Sequence, residues 1–276
     1  MGFFNICPDP MIETLRDMFK ADIVRIPDES IRPLLVVARC GDKISRRGEL
    51  AHLLRCQGST PPGAEMFQTS RLPDLSGKKS SSVDLDLGLQ ILDGFLKGLG
   101  LDQVGIDEQF KGAKKVSFRF GDVKRIYVDI NELGGILADC AVDRFNPAAA
   151  PFFDDPPCQF LLLDSVITSP EFSVTVEEAK DNDFGIDIPV VQDLVSKVGA
   201  KVSVSGSSRR ELVFKGDREL AYAFSKVPVR MDLQGNISSL GVDDEFMVLK
   251  KGAKPGSPEA ARVLLADRPA MIDWDE

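Results

Sequence analysis

The sequence predicts an α+β fold, with a twisted, mainly antiparallel central sheet and helices around it. Segments that alternate apolar and polar residues with period two recur along the chain. Stretches with helical spacing lie between them, but without the regular βαβ order that a parallel sheet needs. The chain has 276 residues, 43% hydrophobic and 28% charged, enough for one large domain or two small ones with a sizeable core.

Asp9-Pro10 is a helix start, with an N-cap acid and proline at the first helical position. Met11, Ile12, Leu15, Met18 and Phe19 then recur at helical spacing, which predicts a helix to about Lys20. Ile23 to Ile26 and Leu34 to Ala38 read as strands, and the near-continuous apolar run of the second marks a buried one. Gly48 to Cys56 reads as a short helix, and two loops rich in Gly, Pro, Ser and Lys follow. Val83 to Ile91 alternates without a break: Val83, Leu85, Leu87, Leu89 and Ile91 are apolar, and the residues between them are polar or glycine. This predicts a strand with one oily and one wet face.

Asp93 to Leu101 reads as a short helix, and Val116, Phe118 and Phe120 alternate again. Ile130 to Cys140 reads as a helix weakened at Gly134-Gly135, and Asn146 to Pro157 as a proline-rich loop. Phe160 to Glu177 is a long strand whose second half alternates at Phe172, Val174 and Val176. Val190 to Val198 has helical character, Ala200, Val202 and Val204 alternate, and Leu212 to Phe214 and Leu220 to Phe224 read as short strands. Lys250 to Gly256 is a basic, flexible linker. Ser257-Pro258-Glu259 then starts a helix carrying Val263, Leu264 and Leu265.

The chemistry of most enzymes is missing. The lone histidine, His52, lies among leucines on an expected helix, where a packing role outweighs a catalytic one. There is no nucleophile elbow, Walker loop or dinucleotide fingerprint, so the chain is not expected to be an enzyme or to bind a cofactor or metal. A net charge of −9 argues against nucleic acid as a partner. No apolar run approaches the roughly 18 residues of a membrane helix. The N-terminus has no secretory signal, so a cytoplasmic product is expected. Five cysteines, an odd number, argue against a disulfide framework in that compartment. Cys40, Cys56, Cys140 and Cys158 are expected to be small buried hydrophobes, and Cys7 lies in a tail.

An alternating strand suits a half-buried sheet, and it equally suits a transmembrane barrel with lipid on one face and water on the other. The alternating segments here fall into two pairs, Ser80–Leu92 with Gly112–Tyr127, and Phe160–Glu177 with Ala200–Gly206. A membrane strand takes about 9–11 residues, a length the first pair has. Two hairpins cannot close a water-filled barrel alone, so many protomers would have to supply them.

The order of landmarks resembles the pore-forming domain of gasdermins, and the length resembles the bacterial members. The resemblance is carried by Ile31-Arg32-Pro33-Leu34-Leu35-Val36-Val37, by Ser80 to Ile91, and by Val116-Ser117-Phe118-Arg119-Phe120-Gly121-Asp122-Val123 with Tyr127-Val128-Asp129. Leu163 to Val174 and Leu220-Ala221-Tyr222-Ala223-Phe224 continue it. The resemblance implies a pore-forming domain over 1–248 and a linker with a short autoinhibitory segment over 249–276. It implies a cytoplasmic monomer that a partner protease cuts. The freed body would then oligomerise into large β-barrel pores among the lipids of the inner membrane, killing the cell in antiphage defence.

Under this resemblance the membrane-facing candidates are Val83, Leu85, Leu87, Leu89, Ile91, Val116, Phe118, Phe120, Phe172, Val174, Val176, Ala200, Val202 and Val204. Leu249, Lys250, Lys251 and Lys254 are the cleavage-site candidates. Val263, Leu264, Leu265, Met271, Ile272 and Trp274 are the autoinhibitory contacts. Cys7 matches the position of a palmitoyl-type acyl group. One such chain binds membranes only marginally, so a second membrane signal is needed. The alternative to this pore former is a soluble regulatory or interaction module without membrane activity.

Overall fold

The structure is a computed structural model that describes residues 21–41, 43–101 and 105–241, together with the backbone of 271 and 272. In chain order the first elements are strands β1 (Asp22–Asp28), β2 (Leu35–Cys40) and β3 (Lys43–Glu49), helix α1 (Leu50–Leu53) and strands β4 (Leu54–Cys56), β5 (Gln68–Arg71) and β6 (Val83–Asp84). Helix α2 (Leu85–Gly98), β7 (Ala113–Gly121), β8 (Lys124–Tyr127), helix α3 (Ile130–Leu137) and β9 (Cys140–Val142) follow. Then come β10 (Gln159–Ala179), helix α4 (Ile188–Val198), β11 (Val202–Ser205), β12 (Glu211–Met231), β13 (Ile237–Leu240) and β14 (Met271–Ile272). The predicted α+β class with a mainly antiparallel sheet is the observed one.

The chain divides into two compact units. The first takes in residues up to Ile31, Thr69–Arg125 and Val166–Phe224. Its ladders are β1 on β12, β6 on β7, β7 on β10 and β11 on β12. The second unit takes in Arg32–Gln68, Ile126–Ser165 and the chain from Ser225. Its ladders are β2 on both β3 and β10, β4 on β9 and β12 on β13. Leu34, Val36, Leu50, Leu133, Phe152 and Leu162 lie in its core.

Several expectations need correction. The strand expected over Val83–Ile91 stops at Asp84, and Leu85 to Gly98 is one helix that absorbs the separate helix expected from Asp93. Acids sit at its start (Asp84, Asp86), and Lys97 sits near its end, paired with Asp93 at 2.8 Å, as the helix dipole favours. A Schellman motif ends it: Gly100 N–H donates to Lys97 O at 2.9 Å and Leu101 N–H to Leu96 O at 2.8 Å. Gly100 supplies the required left-handed φ of 75°. The helix expected over Gly48–Cys56 shrinks to α1, because β3 and β4 flank it. The expected strand at Leu34 begins one residue later, since Leu34 itself is left-handed at φ 66°. The two short strands expected around 212–224 are one 21-residue strand.

The four cysteines expected as buried thiols are two disulfides, Cys40–Cys158 and Cys56–Cys140. His52, expected to pack, is exposed on α1; its backbone carbonyl accepts from Asn146 Nδ2 at 2.9 Å. Among the described residues no helix is long and apolar enough to cross a membrane, which says nothing about strands.

Candidate membrane-inserting segments

β7 and β10 pair in a register that puts the alternating residues opposite one another. Phe120 faces Phe172, Phe118 faces Val174, and Val116 faces Val176. Directly opposed residues point to the same face of an antiparallel sheet, so these six side chains form one apolar surface. All are 3% exposed or less. The ladder passes Pro170, which has no N–H to give; beside it the Ser169 hydroxyl accepts from Glu171 N–H at 3.1 Å and donates to the Gly121 carbonyl.

Helix α2 covers that surface. Its buried residues Gly88, Ile91, Leu92 and Phe95 recur at helical spacing and make one face. Phe95 sets its ring edge-on to Phe118 (5.6 Å between centroids), Phe120 (5.5 Å), Phe172 (5.2 Å) and Tyr222 (5.1 Å). Phe214 stacks on Phe172 at 5.0 Å. Among the described residues the buried Tyr222 hydroxyl has no hydrogen-bond partner, a local cost at the centre of the cluster, and burial pushes its pKa well up.

Gly88 sets how closely the helix can approach. A Cβ there would stand 2.2 Å from Val116 Cγ2, and Val116 is 1% exposed and cannot step aside. Gly88→Ala should therefore destabilise the protein by about 1–3 kcal/mol through overpacking, more than the roughly 1 kcal/mol that alanine gains in helix propensity. Gly135→Ala is the control: at that position in α3 no described residue comes within 4 Å of the added Cβ. It should stabilise by about 0.5–1 kcal/mol. Denaturant midpoints check both signs, and a stabilised Gly88→Ala would contradict the close approach.

The opposite face of the ladder is polar. Ser117 Oγ donates to Glu177 Oε1 at 2.5 Å, and Arg119 Nη2 donates to Glu211 Oε1 at 2.5 Å. Lys79 pairs with Glu177, and Lys114 with Glu178 at 3.1 Å. The ladder thus has the one-face-oily, one-face-wet character that its alternation predicts.

The remaining candidates are placed less regularly. Leu85, Leu87 and Leu89 are half-buried on α2, whereas Val83 and Ile91 are buried. Ala200 precedes β11; Val202 opposes Gly216 and Val204 opposes Phe214, so β11 pairs with β12. Helix α4, capped by Asp187 accepting from Val190 N–H at 3.2 Å, lies between β10 and β11. Each predicted hairpin therefore has one formed strand, β7 or β10, and one partner that is largely helix or short strand. Cys7, Leu249, Lys250, Lys251, Lys254, Val263, Leu264, Leu265 and Trp274 lie outside the described residues. Met271 and Ile272 form β14, described for its backbone. Gly88, Phe95 and Tyr222 are not among the membrane-facing candidates that the alternation singles out, yet they shape this site. The signal present for the first two was the 88, 91, 92, 95 spacing, which runs through the alternating segment and past its end.

The model of the Bacterial Gasdermin Family matches residues 24–241. A gasdermin of a Desulfuromonadales bacterium is 28% identical over 267 residues, covering 96% of this chain and 97% of that one. A gasdermin of Lysobacter enzymogenes is 23% identical over 273 residues, covering 99% of each. A solved bacterial gasdermin from Bradyrhizobium tropiciagri shares the fold with a TM-score of 0.54 at 14% identity, covering 84% of this chain and 90% of that one. With a family model spanning most of its length and an apolar ladder covered by a helix, the chain belongs to the bacterial gasdermins, a pore-forming family.

Proposed function

We propose that this chain is an autoinhibited pore former activated by proteolysis. A protease cuts within 249–265, with Leu249, Lys250, Lys251 and Lys254 as the candidate residues before the cut. The segment from there to 276, through Val263, Leu264, Leu265, Met271, Ile272 and Trp274, is the inhibitor, and the body over 1–248 is the pore-forming domain. The body passes from a cytoplasmic monomer to an oligomeric β-barrel in the inner membrane. An acyl group on Cys7 supplies one membrane signal and the extended hairpins the second. Cell death in response to phage is the outcome, and no catalytic residue takes part.

The observation that carries this reading is the register of β7 on β10, which presents Val116, Phe118, Phe120, Phe172, Val174 and Val176 as one apolar surface. In the resting fold α2 occupies the place that lipid would take. Helix α2 is also a weak helix for its length: Gly88 and Gly94 lie inside it, each costing about 1 kcal/mol against alanine. Its first half keeps the strand period, so it can be re-read as a strand once its packing partners leave.

Dye-loaded liposomes test the proposal. Full-length protein should leave them intact, and protein cut in the 249–265 linker should release the dye. Silence after every engineered cut, with the cut confirmed by mass, would overturn it.

A further inference from the structure

We propose that the two cysteine pairs form a stepwise thiol–disulfide redox site that fixes the second unit covalently while leaving the candidate inserting segments untethered. This goes beyond the pore reading, and only its last clause depends on that reading.

Both bridges join neighbouring antiparallel strands. Cys56 and Cys140 are directly opposed at the β4–β9 ladder, with Cα atoms 4.0 Å apart. Cys40 and Cys158 close the end of the β2–β10 ladder, one position beyond the Arg39–Gln159 pair, with Cα atoms 4.6 Å apart. All four cysteines belong to the second unit, and every candidate membrane-facing residue belongs to the first. The bridges are nested, spanning 118 and 84 residues. Segment 83–121 lies inside the inner loop but is separated from the bridge by residues 57–82 and 122–139, which leaves it chain to extend. Cross-links over long loops restrict the unfolded ensemble strongly, so oxidation favours the folded unit.

The two bridges differ in access. Cys40 is exposed and Cys158 half-buried, whereas Cys56 is half-buried and Cys140 is 6% exposed in the core. Opening is exchange with a dithiol. One dithiol thiolate attacks a protein sulfur, breaking the S–S bond and forming a mixed disulfide. The second thiol then displaces that sulfur. Two electrons pass from the dithiol, leaving two protein thiols and one oxidised dithiol. Exchange requires access to sulfur, so the Cys40–Cys158 bridge opens first. In a reducing compartment such bridges form in response to oxidation, here by a small-molecule disulfide running the same exchange backwards.

The test uses full-length protein equilibrated with oxidised glutathione, titrated with dithiothreitol, and alkylated and digested at each step. The expected map joins Cys40 to Cys158 and Cys56 to Cys140, with Cys40 and Cys158 labelled at lower dithiothreitol. A different pairing, four free thiols after oxidation, or simultaneous opening would overturn it. Reduction should lower the melting temperature by about 10 °C, and an unchanged melting temperature would overturn the stapling. Cys40→Ala with Cys158→Ala should remove the early labelling step and leave the late one. If that variant fails to fold, the titration of the unaltered protein still decides. In the liposome assay, cut protein should leak when oxidised as well as when reduced, and leakage confined to the reduced form would overturn the untethered arrangement. Silence in both forms counts against the pore reading alone, because mapping and melting decide the redox site without it.

Discussion

Leu87→Asp is expected to abolish liposome leakage by the cut protein while leaving the resting fold and its cleavage intact. In the resting state Leu87 is half-buried on α2, between the exposed Asp86 and the buried Gly88. A carboxylate there can stay in water at little cost. In an inserted strand the same position belongs to the odd-numbered face with Leu85 and Leu89. A charge on the lipid face of a barrel costs up to roughly 2 kcal/mol near mid-bilayer, and every protomer of a ring would carry that penalty. The checks are dye release, the cleavage product on a gel and the melting temperature of the uncut protein. Leakage at the unaltered level would place this face away from lipid and remove the strand reading of 83–91.

Phe95→Ala is expected to be the most destabilising single change in the described protein. Phe95 is 1% exposed and touches four rings drawn from β7, β10 and β12. Truncating a buried phenylalanine costs about 3–5 kcal/mol, a fall of roughly 10 °C in melting temperature. Because Phe95 lies beyond the strand expected for insertion, its loss weakens the cover without altering the lipid-facing surface. Uncut Phe95→Ala should therefore begin to leak at a temperature where uncut unaltered protein is silent. A small melting shift would mean that α2 is held from elsewhere.

The structure bears out the elements in which local pattern and environment agree. The alternation at Val116, Phe118 and Phe120 and at Phe172, Val174 and Val176 predicts buried strand faces, and the register joins them into one. The helix signals at Ile130 and Val190 hold, with Asp129 capping α3 by accepting from Asn131 N–H at 2.8 Å. What local pattern does not carry rests on strand pairing and cross-links. β3, Lys-Ile-Ser-Arg-Arg-Gly-Glu, has almost no strand pattern of its own and is a strand because β2 pairs along it. The polar run Lys215-Gly216-Asp217 reads as a break, yet β11 holds Gly216 opposite Val202 and keeps β12 continuous. The disulfide pairing joins residues 118 and 84 positions apart, which no local rule can select.

By itself the sequence determined the α+β class, the two ladder faces and the order of landmarks that marks a gasdermin. These depend on side-chain period and on turn and cap chemistry, which act within a few residues. Only the tertiary structure decided the state of residues 85–98. That segment satisfies two periods at once: period two through Leu85, Leu87 and Leu89, and helical spacing through Gly88, Ile91, Leu92 and Phe95. Packing breaks the tie, because Gly88 fits against Val116 and Phe95 enters the aromatic cluster only from a helix. A choice made by contacts from distant strands is reversible when those contacts are removed, and under the proposed pore function this is how residues 83–91 would pass from helix to membrane strand.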